Sequence, residues 1–186
     1  MNFNSHSNLV GKHSFLSPSN YHWINYSDEK LDSRFLASQA AARGTALHNL
    51  AHDAIRLGVK LSKSDPTLSM YVNDAIGYKM MVEQPLYYSE NCFGHVDTIS
   101  FRKNVLRIHD LKTGITPASF SQLDVYAALF CLEYGYSPFN INVELRIYQN
   151  RKVEVEQGDP EIITTIMDRI IFFDQRIQML KNGGAQ

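Results

Sequence analysis

Cysteine is scarce: the 186-residue chain has two, Cys92 and Cys131. Two thiolates cannot complete a four-cysteine zinc or iron–sulfur centre, and they close at most one bridge, so they read as a pair of reduced, semi-buried thiols. An excess of one charge is also lacking. Eighteen Lys and Arg against nineteen Asp and Glu leave a formal charge of −1. That excludes uniform coating of a polyanion; contact with nucleic acid needs a local basic patch. No apolar run approaches the ~18 residues of a membrane span, the longest candidate (163–179) being broken by charges. The Asn- and Ser-rich first ten residues carry no apolar core of a secretory signal. The expectation is a cytoplasmic protein without membrane contact. What is present is ordinary: 44% hydrophobic and 20% charged residues suit one folded domain and not a disordered chain.

Patterning divides the chain into a polar, flexible arm over 1–16 and a single domain over 17–182. Apolar residues recur at helical spacing from 33 to 58 (Phe35, Leu36, Ala40, Leu47, Leu50, Ala51, Ala54, Ile55), with Gly44 leaving one helix or two open. A weaker helix covers 66–78. The period then changes to two. Strands are predicted over 81–88, where Pro85 argues for an edge or a bulge, and over 93–101 and 105–111 around Arg102-Lys103-Asn104. A helix over 118–134 closes at Gly135, residues 140–149 alternate cleanly, and 152–156 pair back as a hairpin. Asp159-Pro160 opens a last amphipathic helix to Lys181. This order predicts an α/β domain with a central mixed sheet flanked by helices.

The chemistry gathers on one hairpin. A turn centred on Lys103-Asn104 makes paired positions sum to 207, so Asp97 faces Asp110. Like charges directly opposed across two strands are destabilising, and a divalent cation is a common remedy for paired carboxylates. Lys112, two residues after Asp110, shares its face. The alternative is a surface hairpin with a salt bridge, but Asp110 ends the buried run Val105, Leu106, Ile108, where an unpartnered carboxylate is costly. His48 lies on the first helix among Leu47, Leu50 and Ala51, as a core imidazole or a metal ligand. His52 lies one turn on, without the intervening glutamate of a zinc protease motif. His95 and His109 read as supporting or structural, and Glu83 as a further acid near the site. Gln122 and Tyr126, four apart on the following helix, form either a polar edge toward a phosphate or a core helix whose hydroxyl reaches solvent.

Together these residues resemble the RecB-like branch of the PD-(D/E)XK nucleases, with a likeness to its phage exonuclease members. The acid, spacer and acid-x-lysine signature is matched by Gly94-His95-Val96-Asp97 and Asp110-Leu111-Lys112-Thr113-Gly114. The upstream helical histidine is matched by Gly44-Thr45-Ala46-Leu47-His48, and the Q-x-x-x-Y helix by Gln122 to Tyr126. Ser17-Pro18-Ser19-Asn20-Tyr21-His22-Trp23 is similar to the serine–tryptophan opening of many phage and CRISPR-associated members. The likeness runs from about 17 to 130, in order. Val96 stands at the nominal proline position, and the iron–sulfur cluster of many relatives has no cysteines here to hold it.

The resemblance implies a restriction-endonuclease-like fold. It implies Mg²⁺ or Mn²⁺ bound by His48, Asp97, Asp110 and the Leu111 carbonyl, with Asp97, Asp110 and Lys112 catalytic and Gln122 and Tyr126 contacting DNA. The implied activity is a stand-alone DNA nuclease, more an exonuclease of ends or single strands than a sequence-specific cutter. The rival is a non-catalytic DNA- or partner-binding protein that retains the fold, and a phage-encoded origin is part of the expectation. Arg102, Lys103 and Arg107 at the hairpin, with Arg146, Arg151 and Lys152, are the candidate phosphate contacts. The C-terminal helix (Ile162, Ile163, Ile166, Ile170, Ile171, Phe172, Phe173) is more apolar than one buried face requires, which points to a second copy or a protein partner.

Overall fold

Lys103 and Asn104 both adopt left-handed φ, +50° and +59°, as a two-residue type I′ hairpin turn requires. They join β2 (Cys92–Arg102) to β3 (Val105–Leu111) in the 207 register, from Arg102↔Val105 to Thr98↔His109. The structure, a computed structural model, describes residues 4–62 and 64–183. Residues 1–3 of the expected arm and residue 63 of the expected domain lie outside it.

The chain divides after Thr45 into two compact units. In the first, short 3-10 segments at Ser7–Leu9 and Pro18–Asn25 precede the start of α1 (Asp28–Leu57). Trp23 Nε1 donates to the Ser17 carbonyl (3.0 Å), and Phe15 meets Phe35 edge-on. The helix starts before Ser33 and runs unbroken through Gly44. A single glycine costs a helix only about 1 kcal/mol relative to alanine.

The second unit, from Ala46 onward, carries an α/β fold. Its five-stranded mixed sheet runs in the order β1-β2-β3-β4-β5. β1 (Met81–Ser89), β4 (Asn142–Gln149) and β5 (Lys152–Gln157) complete the sheet. Only the β3–β4 contact is parallel, the crossover between them being α3 (Ser121–Tyr134). β4 and β5 close a second hairpin on left-handed Asn150 and Arg151. α3 begins later than the apolar spacing suggests: Ser119 Oγ takes the Ser121 N–H (3.2 Å), so 118–120 form the entry turn. Gly135, at φ +70°, ends it, a conformation glycine adopts at low cost.

Each face of the sheet buries its own core. Leu106, Ile108, Val143, Leu145 and Ile147 pack with Leu123 and Ala127 of α3 and with Ile163 and Ile170 of α4 (Pro160–Gly183). Leu111 and Tyr148 pack on the other face with Ala51, Ala54 and Ile55 of α1 and with Leu68, Tyr71, Val72 and Ala75 of α2 (Pro66–Gly77). Asp65 caps α2 by accepting the Leu68 N–H (3.1 Å), with Pro66 at the first helical position. β1 lies at one edge of the sheet, as Pro85 suggests. Both cysteines are free, and burial pushes the Cys131 thiol up to about 11. Among the described residues no helix is long and apolar enough to cross a membrane.

A candidate metal-dependent site at the end of the hairpin

Regular pairing of β2 with β3 ends at Thr98↔His109, one step short of Asp97 and Asp110. The β1–β2 ladder skips the same place: Val82 pairs with Thr98 and Gln84 with Val96, while Glu83, opposite Asp97, takes φ +49°. Val96 and Ile99, of opposite parity along β2, both sit in the α3/α4 core. The alternation therefore slips once between them. The β1–β2 register is kept on either side of this break, and Asp97 is left out of both ladders. Asp97 Oδ2 accepts the Leu111 N–H (3.2 Å) and lies 3.5 Å from His48 Nδ1.

Asp110 is only 6% exposed. Lys112 Nζ stands 3.1 Å from its Oδ1 and 2.9 Å from its Oδ2. Only the Oδ1 contact has hydrogen-bond geometry, so buried Oδ2 has no hydrogen-bond partner among the described residues. Burial pushes the Asp110 carboxyl above its usual range and the nearby Asp97 charge adds to this, while Lys112 pulls the other way. A cation beside Oδ2 would relieve both costs.

The predicted helix edge joins the same cluster. Lys112 Nζ also donates to Gln122 Oε1 (3.0 Å). Tyr126 Oη donates to the His95 carbonyl (2.7 Å), and its ring packs so closely that a Cβ at Gly94 would come within 3.0 Å of it. Tyr126 therefore fixes α3 against β2, and Gln122 is the exposed member of the pair. A cleft of about 160 Å³, lined by Leu47, Thr67, Leu111, Lys112 and Asn150, opens beside the lysine. The donor set of one imidazole and two carboxylates suits Mg²⁺ or Mn²⁺.

No family model, curated protein or solved structure matches the chain. The site therefore rests on its own geometry. His48, Asp97, Asp110, Lys112 and Gln122 come together, and Leu111 joins them through its N–H on Asp97. The expected cationic patch does not hold as a whole. Arg107 is spent on Glu144 (3.1 Å), and Arg146 on Asp74 (3.1 Å), Glu144 (3.0 Å) and Tyr78 Oη (2.8 Å). Both arginines lie in the interior of their strands, where neighbouring strands and helices claim them. Arg102 and Lys103 stay exposed, but six residue steps of β3, roughly 20 Å, separate the hairpin tip from Asp110. Because β4 runs parallel to β3 with Tyr148 beside Leu111, exposed Arg151 and Lys152 lie at the site's end of the sheet.

Two participants carried little signal in the sequence. His52, 4% exposed, has its Nδ1 3.3 Å from Glu83 Oε1, and Arg56 Nη2 holds Glu83 Oε2 (2.7 Å). The four-residue spacing of the histidines is visible in the sequence, but the turning of Glu83 toward them accompanies its left-handed backbone, which no local pattern announces. His95 is tied in through its carbonyl alone. His109 is structural: fully buried, with Nδ1 3.3 Å from Tyr148 Oη, it is held at about 3 by burial and by Arg146 and Arg107.

Proposed function

We propose that this chain is a metal-dependent DNA nuclease of the PD-(D/E)XK type, hydrolysing phosphodiesters at ends or in single strands. The observation that carries the reading is the pairing of buried Asp110 with Lys112 beside Asp97 and His48, two acids, a lysine and an imidazole closed by Gln122. A sheet gains no stability from two neighbouring carboxylates, one of them buried, so the arrangement makes sense as a seat for a cation.

His48, Asp97, Asp110 and the Leu111 main chain would hold Mg²⁺ or Mn²⁺. Bound there, the ion would supply acidification of a water and screening of charge on the phosphoryl group. Lys112 has three N–H donors; Asp110 and Gln122 take two. The third is free to orient a water toward phosphorus and to neutralise developing negative charge. Gln122 keeps Lys112 aimed and offers its exposed amide to the DNA strand, while Tyr126 holds that helix edge in place. Arg151 and Lys152 supply phosphate contacts at the same end of the sheet.

The test is digestion of linear duplex, linear single-stranded and circular DNA with Mg²⁺ or Mn²⁺, with EDTA and Lys112→Ala as controls. Loss of linear substrates alone, abolished by both controls, is the expected result. Cutting of circles would change the class to endonuclease. Intact substrates in every reaction, with DNA still bound, would favour a binding protein that retains the fold. Association through α4 belongs to the same proposal: Ile162, Phe172, Phe173, Met179 and Leu180 remain exposed along it, and light scattering of a concentrated sample should show more than a monomer.

A further inference from the structure

His48 and His52 stand four residues apart on α1, so both imidazoles project from one helix face, the spacing of paired zinc ligands. Their ring centroids are 6.1 Å apart. One ligand atom each from His48, His52 and Asp97 lie within 4.8 Å of one another. His52 is 4% exposed, yet neither ring nitrogen has a hydrogen-bond partner among the described residues. Leaving both nitrogens of a buried imidazole unpaired is costly, and its helix could have carried an apolar residue there, as it does at Ala51 and Ile55.

Glu83 supplies a second, separate observation. Its left-handed backbone is uncommon and strained for a non-glycine residue. That conformation accompanies a side chain with one oxygen on Arg56 and the other 3.3 Å from His52 Nδ1. A carboxylate beside the outer nitrogen of a ligating histidine sets its tautomer and raises its basicity. The contact to Nδ1 lies outside hydrogen-bond geometry, and a small rotation of the His52 ring would complete it.

We propose that His48, His52 and Asp97 form a binding site for a borderline divalent transition metal such as Zn²⁺ or Co²⁺, with Glu83 and Arg56 orienting His52 and with Asp110 outside the ligand set. Two imidazoles and one carboxylate select such ions over Mg²⁺, which prefers an all-oxygen shell. The site shares His48 and Asp97 with the proposed nuclease centre but stands without cleavage, since it rests on the imidazole pair.

The test reads metal directly. Metal-free full-length protein is titrated with Co²⁺, following visible absorption, then with Zn²⁺ in competition and with Mg²⁺ as the oxygen-preferring control. One strongly bound Co²⁺ per chain, displaced by Zn²⁺ and not by Mg²⁺, is expected. His52→Asn should weaken binding by at least about tenfold, and Glu83→Gln by about tenfold. Glu83 is solvent-exposed, so its variant reports even where His52→Asn disturbs the fold. Equal Co²⁺ affinity in the wild type, His52→Asn and Glu83→Gln proteins would overturn the proposal. So would a signal lost with Asp110→Asn and kept with His52→Asn. Mg²⁺-dependent DNA cleavage without Co²⁺ binding removes this inference and leaves the nuclease reading; Co²⁺ binding without cleavage does the reverse.

Discussion

Two polar clusters are built into the same sheet, and they are solved differently. Around Arg146, charge closes on itself. The guanidinium meets Asp74, Glu144 and Tyr78, Tyr148 Oη donates to Asp74 (2.7 Å), and His109 is wedged between Tyr78 and Tyr148. One atom there, His109 Nε2, lacks a partner among the described residues. Around Asp110 the balance is poor. Two carboxylates and two imidazoles share one lysine, and Asp110 Oδ2 with both His52 nitrogens is left over. A satisfied network stiffens a fold, whereas an unsatisfied one costs stability and survives where something else binds.

That contrast is open to attack from either side. The largest effect should come from Asp97→Asn or Asp110→Asn. Each is expected to lower Mn²⁺-dependent cleavage by about a hundredfold or more, the scale of losing one preorganised electrostatic group. Asp110→Asn should also raise the thermal midpoint at neutral pH. Its carboxyl is pushed up in the fold, so the ionised form opposes folding and stability falls as pH rises through that window. A lower midpoint would mean that Asp110 is part of an ordinary stabilising ion pair. Next, Arg146→Ala should cost about 2 kcal/mol in urea unfolding, because Asp74 keeps only the Tyr148 hydroxyl and Glu144 only Arg107, with any cleavage by the remaining folded protein unchanged.

Acid should act through His109. Its folded value of about 3 lies below the ordinary 6.5. The unfolded chain therefore takes up the proton first, and stability present above pH 6.5 is lost as pH falls toward 3. The loss should be about 2 kcal/mol between pH 6.5 and 4.5, and His109→Gln should flatten that part of the profile. The smallest effect is expected at Gly94→Ala, where the new methyl presses on the Tyr126 ring. About 1 kcal/mol of stability should go, with DNA affinity reduced only slightly.

Local rules carried much of this into the sequence. The Lys103-Asn104 turn fixes the 207 register because two adjacent left-handed residues permit only one tight hairpin, and β3 begins and ends where its apolar run does. Asp110, Lys112 and Gln122 were legible for the same reason, each following from strand parity or helix spacing. Arg107 and Arg146 are not phosphate contacts, because their partners, Glu144 and Asp74, arrive from a parallel strand and a helix that no local pattern connects to them. The direction of Glu83 is not legible locally because it goes with a left-handed residue inside a strand. Gly44 leaves one helix or two open in the sequence, and one glycine proves too weak a penalty to end a thirty-residue helix.

β1 has one more consequence. Along its free margin the outward N–H groups belong to alternate residues, 83, 85 and 87. Glu83 is turned out of extended conformation by its left-handed φ, Pro85 has no N–H, and that of Tyr87 is taken by Glu133 Oε2 (2.8 Å). A foreign strand arriving there finds no row of donors to copy. The margin beside the proposed metal centre is thus closed to templated aggregation, and the molecule can keep a strained, charge-rich strand at its rim without inviting a neighbour to zip onto it.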